Sequence, residues 1–461
     1  MFFKQIYDND LAQASYLIGC QANGSAIVID PRRDIQIYLE TAASEGLNIT
    51  AISETHVHAD YLSGARELAN ATGATLYLSD EGGPDWQYSF DHTGLRDGSQ
   101  IRLGNLTITA VHTPGHTPEH LSFLITDGAS ANEPGFFLTG DFVFVGDIGR
   151  PDLIDETAGG TDSRFVGAKH LFSSLKEKFL TLPDYVQVWP GHGAGSACGK
   201  ALGAVASSTV GYECRFAWWV SYLEHNDEAG FTQALLEGQP DAPTYFARMK
   251  RQNKTGPDLL GQRASLEQFA SAQLQHALEN GAILIDTRAR EAFQAASVPG
   301  SIHLPNSKNF VTWAGWLLQP ERDYLLLAEN LETANNLRDQ LSRVGIDQIL
   351  GFATTLDGLK LESKTPIKHE QFQTLKNPFV LDVRTTAEYA AGHLPNATHI
   401  HAGRLLVNLE RIPRDRPVVV HCQAGARSAA AISVLRANGF ENVLDLGMGY
   451  EGWIAKSTLN A

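Results

Sequence analysis

Cysteine is scarce in this chain, which has four in 461 residues: Cys20, Cys198, Cys214 and Cys422. They form no Cys-x-x-Cys pair and show no regular spacing. Small secreted domains that depend on disulfides carry cysteines in dense, regular frameworks. We therefore expect individual thiols in a reducing compartment, and a cytoplasmic protein.

Basic residues and long apolar runs are also in short supply. The chain has 36 lysines and arginines against 52 aspartates and glutamates, a formal net charge of −16. This balance argues against nucleic acid and against an anionic membrane surface as partners. No run reaches the roughly 20 apolar residues that a membrane span needs, and the amino terminus turns acidic at Asp8 before a signal segment forms. The sequence thus predicts neither a membrane nor a nucleic acid partner.

The length of the chain predicts two to four domains. Residues 1–205 alternate short apolar runs with Gly/Pro turns, and helical patterns fall between them. Strands with inserted helices suggest a layered αββα sandwich whose site lies at the strand ends. From about residue 205 to 260 the sequence turns helical and polar. We interpret this stretch as a helical extension of a first domain that spans residues 1–260.

Histidine and aspartate recur in the first 200 residues where apolar runs end. Two histidines and a carboxylate alternate soon after the run at residues 49–52, and later runs or Pro/Gly turns are followed by one such residue each. The six are His56, His58, Asp60, His116, Asp141 and His192. Loops at strand ends allow imidazoles and carboxylates to turn toward one ion. The pattern predicts a metal site.

The chain repeats itself after residue 262. Asp286 and Arg288 recur as Asp382 and Arg384 after a second apolar run, and a proline and a histidine keep the same spacing behind them in both copies. Agreement at four chemically unlike positions indicates an internal duplication of α/β units. We call residues 263–365 the first repeat and residues 366–461 the second repeat.

The second repeat places a cysteine where it can react. Cys422 follows an apolar run and precedes a short loop and a helical pattern. The loop residues are Gln423, Ala424, Gly425, Ala426 and Arg427. Backbone N–H groups at a helix N-terminus favour the thiolate and bind anions, and Arg427 adds a permanent charge. We call residues 422–427 the Cys422 loop; the alternative interpretation is a buried, inert cysteine.

This loop resembles the active loop of rhodanese-type sulfurtransferases, and Asp382, Arg384 and the Gly-His-Leu-Pro at residues 392–395 resemble the entry motif of the same family. The resemblance implies that Cys422 and Arg427 are catalytic. It also implies that the four residues between them bind the sulfur substrate. The first repeat has Glu329 where the thiol should stand. It is therefore expected to be a degenerate, inactive rhodanese-like domain, and the second repeat an active one.

The first domain resembles the metallo-β-lactamase superfamily over about 200 residues. The motifs are Thr-His-x-His-x-Asp, Pro-Gly-His-Thr, Thr-Gly-Asp and a final Gly-His. Dinuclear members usually carry a histidine where this chain has Tyr61. A phenol, with an ordinary pKa near 10, is a poor substitute for that ligand, so a single ion is expected. Residues 141–152, with their Gly-Arg-x-Asp, resemble a segment of persulfide dioxygenases. The domain order resembles bacterial fusions of persulfide dioxygenase with sulfurtransferase.

That resemblance implies that His56, His116 and Asp141 hold one Fe(II) per chain and leave positions for O₂ and a substrate sulfur. Four other residues would surround these ligands: His58, Asp60, Tyr61 and His192. The implied reaction oxidises a persulfide of a low-molecular-weight thiol, such as glutathione or coenzyme A, to sulfite. Sulfur transfer involving thiosulfate would be coupled to it in sulfide detoxification, and a homo-oligomer is expected.

Three further residues are candidates for the same pocket. Cys198 lies on a glycine-rich loop six residues after His192 and would accept or present a persulfide, although a small buried filler fits the sequence equally well. Arg150 and Lys200 are candidate anchors for the carboxylates of a thiol carrier. The alternative for both is an ordinary surface charge.

Two other functions fit the same motifs. One is a zinc-dependent thioester hydrolase of the glyoxalase II kind with an attached sulfurtransferase, which Tyr61 disfavours. The other is a sulfur carrier or sensor in which the metal is only structural. Two features disfavour it. The turns around the histidines are open enough for a substrate, and the site has fewer strong donors than the four that a closed structural zinc needs.

Overall fold

The computed structural model describes residues 1–153, 155 and 162–459, and for residues 456–459 the backbone alone. The chain divides into two compact units, Met1–Gln262 and Arg263–Ala461. Among the described residues, none of the helices combines the length and the apolar character that a membrane crossing requires.

Two six-stranded sheets form the first unit. The first contains β1 (Phe2–Asp8), β2 (Gln13–Cys20), β3 (Ser25–Ile29), β4 (Asn48–Ser53), β5 (Thr75–Ser79) and β6 (Thr93–Leu95) in that order. The second contains β7 (Gln100–Leu103), β8 (Leu106–His112), β9 (Leu121–Asp127), β10 (Phe136–Gly140), β11 (Gln187–Pro190) and β12 (Ser208–Thr209), again in sequential order. The helices are Gln36–Ser44, Ala65–Thr72, Ser163–Ser174, Val210–Phe216, Val220–Glu224, Glu228–Leu236 and Phe246–Thr255, with a π-helical turn at Leu175–Phe179.

The two sheets pack face to face. Ile18 and Ile27 of the first sheet share one apolar core with Ile108 and Phe123 of the second. The outer face of the first sheet is covered by helices Gln36–Ser44 and Ala65–Thr72, and that of the second by Ser163–Ser174 and the helices after residue 205. Sheets covered on both faces have apolar residues on both sides, which explains why all eight residues of β2 are buried. The predicted αββα sandwich is confirmed.

The loops with the predicted metal donors leave the sandwich at one edge. β4, β8, β10 and β11 end there, and β10 pairs in parallel with β11, so Gly140 lies opposite Pro190. Backbone hydrogen bonds connect the loops across the two sheets. Leu121 N–H donates to Thr55 O at 2.7 Å, and Ala14 N–H donates to Gly191 O at 2.8 Å. Rigid strand ends therefore position the site.

The second unit contains two four-stranded parallel sheets with matching strand order. The first sheet contains β13 (Ile283–Asp286), β14 (Ile302–His303), β15 (Tyr324–Leu327) and β16 (Ile349–Ala353); the second contains β17 (Phe379–Asp382), β18 (Ala397–His399), β19 (Val418–His421) and β20 (Val443–Asp445). The strand orders are β14-β13-β15-β16 and β18-β17-β19-β20. The helices are Ser271–Glu279, Arg290–Ala295, Phe310–Leu317, Leu331–Ser342, His369–Thr374, Thr386–Ala391, Ala426–Ala437 and Gly449–Leu459. Both sheets fit the predicted α/β class.

The strand registers correct one sequence assignment. Asp286 lies opposite Leu327 in the first repeat, and Asp382 lies opposite His421 in the second. Cys422, the residue after His421, therefore corresponds to Ala328 and not to Glu329. The sequence comparison was wrong by one position because the apolar run of the first repeat continues through Ala328, one residue past the end of β15, and so does not mark where the strand ends.

The helix Ala426–Ala437 lies between the repeats. Its residues from Ser428 to Leu435 are all buried, because a helix that is packed on several sides has no solvent face. The Ser433 hydroxyl accepts a hydrogen bond from His303 N–H at 2.9 Å, so this helix of the second repeat meets β14 of the first. The two repeats thus form one packed body.

Candidate active sites

Three of the predicted donors meet at the loop edge of the sandwich. The ligand atoms of His56, His116 and Asp141 lie within 4.8 Å of one another, and all three side chains are buried. His116 Nε2 lies 3.5 Å from Asp141 Oδ2. Two imidazoles and one carboxylate on three different loops form an open donor set of the kind that leaves coordination positions for other ligands.

The ring nitrogens of both histidines are oriented by neighbouring groups. Thr55 Oγ1 donates its proton to Asp30 Oδ2 at 2.9 Å. Toward His56 Nδ1, which lies 3.0 Å away, Thr55 Oγ1 can therefore act only as an acceptor. His116 Nδ1 lies 2.9 Å from Arg150 O, which is an acceptor only. Both rings therefore carry their proton on Nδ1, and both Nε2 lone pairs are free for a metal.

The electrostatics of the cluster favour a bound cation. Both carboxylate oxygens of Asp141 are buried without a hydrogen-bond donor among the described residues. Burial raises the pKa of Asp141, but the histidines, with His192 first, outweigh it and leave the pKa below its ordinary value. Burial and the adjacent imidazoles hold the pKa of His56 well below its usual range, so this ring is neutral. A buried carboxylate without donors beside the neutral His56 ring is costly unless a cation neutralises it. The residues fit a metal ion.

Tyr61 and His58 turn toward Asp30 rather than toward the three donors. His58 Nε2 lies 3.1 Å from Asp30 Oδ1, and the Tyr61 hydroxyl donates to Asp30 O at 3.2 Å. Burial raises the pKa of Tyr61 well above 10, so the phenol stays protonated. Burial lowers the pKa of His58, but Asp30 raises it more, to about 9. Tyr61 therefore offers no phenolate ligand to the cluster.

A second group of donors adjoins the first. Asp60, His192 and Cys198 also have ligand atoms within 4.8 Å of one another. His192 Nε2 lies 3.3 Å from Asp60 Oδ2 and 3.5 Å from Asp141 Oδ1, so Asp141 faces both groups. Burial, together with Asp141 and Asp60, raises the pKa of the Cys198 thiol well above 9. The structure thus places Cys198 beside the ligand cluster as a protonated thiol.

Arg150 and Lys200 have partners within the protein. Arg150 is 2% exposed, forms a two-point ion pair with Asp152, and donates to Ala197 O at 3.0 Å and to Pro240 O at 2.7 Å. The Lys200 ammonium donates to two backbone carbonyls at the end of helix Glu228–Leu236. Arg150 therefore holds the loop that carries Cys198. The role of both cations as carboxylate anchors stays a prediction.

Sequence reasoning missed several residues that build this site, among them Asp30 and Asn253. Asp30 follows the apolar run of β3 and shows the same signal as Asp141, a carboxylate directly after a strand. Asn253 has no sequence signal. Its amide donates to His58 O at 2.8 Å and to Tyr61 O at 2.7 Å, and its oxygen accepts from Ser63 N–H at 2.9 Å. The helix Phe246–Thr255 thus fastens the loop that holds the first histidines.

The Cys422 loop folds around its sulfur. Cys422 is 2% exposed, and its Sγ accepts a hydrogen bond from Gly425 N–H at 3.1 Å. Gly425 has a φ of +102°, which favours glycine because a Cβ is strained there. The loop runs directly into the N-terminus of helix Ala426–Ala437. An N–H group and a helix N-terminus directed at the sulfur stabilise its anionic form.

The arginines around this loop are all paired. Arg427 makes two hydrogen bonds of 2.7 Å with Glu388. Burial raises the pKa of Glu388, but the bonds from Arg427 and Thr385 lower it to about 2. Arg384 forms a two-point pair with Asp382 and donates to the Gln423 side chain at 3.1 Å. Arg427 therefore closes the loop as half of an ion pair.

Comparison with known proteins identifies the family of the domain that carries each site. The family model for the metallo-beta-lactamase superfamily matches residues 8–192, and that for the rhodanese-like domain matches residues 365–456. A metallo-beta-lactamase from Staphylococcus aureus of known crystal structure is 41% identical, with a TM-score of 0.67 over 77% of this chain and 98% of its own. The human mitochondrial persulfide dioxygenase ETHE1 is 28% identical over 42% of this chain and 68% of its own length.

A further relative is a hydrolase. The hydroxyacylglutathione hydrolase of Nitrosococcus oceani is 30% identical over 42% of this chain and 66% of its own length. This chain therefore belongs to the metallo-β-lactamase superfamily, as a fusion in which a domain homologous to persulfide dioxygenases is followed by a rhodanese-like domain.

Proposed function

We propose that the protein oxidises a low-molecular-weight thiol persulfide with O₂ and couples this reaction to sulfur transfer at Cys422. The observation that carries the proposal is the open set of His56, His116 and Asp141, with Tyr61 turned away from it. The similarity to persulfide dioxygenases and the rhodanese-like domain support it.

The three residues would hold one Fe(II), through His56 Nε2, His116 Nε2 and an Asp141 oxygen. When bound, the ion would supply positions at which O₂ and the substrate sulfur are brought together. O₂ takes four electrons from the terminal sulfur of the persulfide, water supplies the third oxygen, and the products are sulfite and the free thiol. The buried pair of Asp60 and His192, whose side chains lie 3.3 Å apart, would take up the proton that the incoming persulfide loses.

The Cys422 loop would carry out the transfer step. The thiolate attacks the sulfane sulfur of thiosulfate, the new Cys422 Sγ–S bond forms, and the S–S bond of thiosulfate breaks as sulfite leaves with its electron pair. The sulfur on Cys422 then passes to an acceptor thiol or to cyanide. The N–H of Gly425, which donates to Cys422 Sγ, would stabilise the negative charge of the attacking thiolate.

A zinc-dependent thioester hydrolase is the second candidate function. The group of Asp60, His192 and Cys198, in which His192 lies 3.5 Å from Asp141 of the first cluster, favours it because two adjacent donor sets suit a two-metal hydrolase. The 30% identity to a hydroxyacylglutathione hydrolase also supports it. One iron per chain after anaerobic purification supports the dioxygenase, and two zinc ions support the hydrolase.

Substitution of two ligands tests the proposed dioxygenase. We expect His56→Ala and Asp141→Ala to lose bound iron and oxygen uptake with glutathione or coenzyme A persulfide, because each removes a donor from a set of three. Cyanide-dependent sulfur transfer from thiosulfate should persist, since Cys422 belongs to the other unit. The exposed His170 provides the control His170→Ala, which should keep both activities. Oxygen uptake by the Asp141 variant equal to that of the wild type would show that the ligand assignment is wrong.

A further inference from the structure

An arginine of the first repeat reaches the Cys422 loop of the second. Arg290 begins the helix Arg290–Ala295, and its Nη1 donates a hydrogen bond to Ala424 O at 3.1 Å. The family match to the rhodanese-like domain begins at residue 365, so Arg290 lies outside it. The contact joins residues 134 positions apart in the chain.

The peptide group between Ala424 and Gly425 is bonded on both sides. Its C=O accepts from Arg290, and its N–H donates to Cys422 Sγ at 3.1 Å. The described chain has no cis peptide bonds, and in a trans peptide the N–H and the C=O point in opposite directions. An Arg290 that fixes the carbonyl on one side therefore fixes the N–H on the sulfur side. Rotation of this peptide would replace the N–H donor by a carbonyl oxygen that repels an anionic sulfur.

The charge of the guanidinium also strengthens the bond to sulfur. A hydrogen bond from a cation to a carbonyl polarises the peptide and makes its N–H a better donor. Gly425 permits this approach, because a methyl group built on it would collide with the Arg290 guanidinium. The glycine thus serves both the left-handed turn and the access of Arg290 to the loop.

A second chain of contacts leads from Arg290 to the sulfur. Arg290 Nη2 lies 3.1 Å from Asp445 Oδ2, and Asp445 Oδ1 accepts from the Ser428 hydroxyl at 3.1 Å. Ser428 Oγ lies 3.8 Å from Cys422 Sγ. Gln294, one helical turn after Arg290, also donates to Asp445 Oδ2, at 2.9 Å. The first repeat therefore holds the loop both through its backbone and through Asp445.

We propose that Arg290 is a positioning residue for sulfur transfer, so that the first repeat, which has no thiol of its own at this place, completes the active site of the second. The inference rests on the proposed sulfur transfer at Cys422. Arg290 acts through the Ala424–Gly425 peptide and does not touch the substrate. An arginine suits this role because two nitrogens of its planar fork reach Ala424 O and Asp445 at the same time, whereas a lysine has one nitrogen for both partners.

Kinetics of Arg290→Ala and Arg290→Lys in the full chain test this role. We expect kcat for thiosulfate-to-cyanide transfer to fall about tenfold or more in Arg290→Ala, with KM for thiosulfate changing much less, because the loss affects the charged transition state and not the entry of substrate. Arg290→Lys, which keeps the charge, should recover part of the rate. The matched control is Arg322→Ala, an exposed arginine of the first repeat, which should leave kcat unchanged.

The alkylation rate of Cys422 gives a readout that needs no turnover. Iodoacetamide modification at fixed pH, followed by mass spectrometry of the Cys422 peptide, should slow several-fold in Arg290→Ala, since the sulfur anion loses the N–H that stabilises it. If the wild-type chain transfers no sulfur, the proposed function fails, and this rate still decides the role of Arg290. Unchanged kcat and alkylation in a folded Arg290→Ala, or in Arg290→Lys where the alanine variant does not fold, would reduce the contact to an ordinary ion pair between repeats.

Discussion

Three arginines contact the Cys422 loop or lie beside it, and each forms an ion pair with a carboxylate. Arg427 pairs with Glu388, Arg384 with Asp382 and Arg290 with Asp445. The three pairs contribute no net charge, so in the proposed transfer step the attraction for an anionic sulfur substrate would come from oriented N–H groups and the helix N-terminus. The ion pairs would then fix the geometry of the loop, and the peptide dipoles would bind the anion.

The pair of Arg427 and Glu388 makes the second unit sensitive to acid. The pKa of Glu388 in the folded chain is about 2, below the ordinary value of 4.5, so its contribution to stability is complete above pH 4.5 and is lost as the pH falls toward 2. We expect Glu388→Gln to lower the free energy of unfolding by about 1 kcal/mol at neutral pH, a value discounted for the 30% exposure of the side chain.

Urea unfolding followed by circular dichroism measures this difference. It should shrink steadily between pH 4.5 and pH 2, because both chains then lack the charge. Glu410→Gln, at an exposed position of the same repeat, is the control and should match the wild type. A difference that stayed constant down to the lowest pH would show that the ion pair is not its source.

At the scale of elements, the strands of the first unit could be predicted from the sequence. The contacts of their loops with helices much later in the chain could not. Apolar runs that end in His or Asp marked β4, β10 and β11, since strand period and turn residues are local signals. The helix Phe246–Thr255 was predicted only as part of an extension. Its contact with the loop that contains His58 and Tyr61 joins Asn253 to residues more than 190 positions earlier. No local pattern encodes such a contact, and the same holds for Arg290 and Ala424.

The helix Phe246–Thr255 should therefore affect metal binding without touching the metal. Asn253→Ala removes three hydrogen bonds to the loop between His58 and Ser63, and leaves buried backbone groups without partners at a cost of about 1–3 kcal/mol. We expect the variant to bind iron more weakly, as measured by competition with a chelator. Arg251→Ala, an exposed residue of the same helix, should bind iron as the wild type does. Equal iron affinity in the two variants would refute this positioning role.

At the scale of the whole molecule, the two proposed reactions share their small molecules. The oxidation makes sulfite and consumes persulfide, whereas the transfer step exchanges sulfane sulfur with sulfite. One chain that carries both sites raises the effective concentration of each intermediate near the other site. The motifs of both reactions could be found from the sequence because each is compact. The exchange between them depends on the whole chain.

The product ratio tests this exchange. With a small persulfide as substrate, Cys422→Ser should keep the rate of oxygen uptake but shift the product from thiosulfate toward sulfite, because no Cys422 persulfide remains to combine with sulfite. Thiosulfate-driven oxygen uptake should stop. Chromatography of the sulfur products measures the ratio, and Cys214→Ser, which changes a half-buried thiol of the other unit, is the control. Identical ratios in wild type and Cys422→Ser would mean that the sites share a chain and nothing more.

The hydrogen bond between Arg290 and Ala424 also affects which fragments of this protein can be expected to be active. A fragment cut at the boundary of the family match, residue 365, would keep Cys422, its loop and the helix that follows. It would lack the donor that holds the peptide behind the sulfur. If the second repeat transfers sulfur as proposed, the smallest active fragment is therefore expected to begin before Arg290, so that the conserved domain and the active fragment start at different residues.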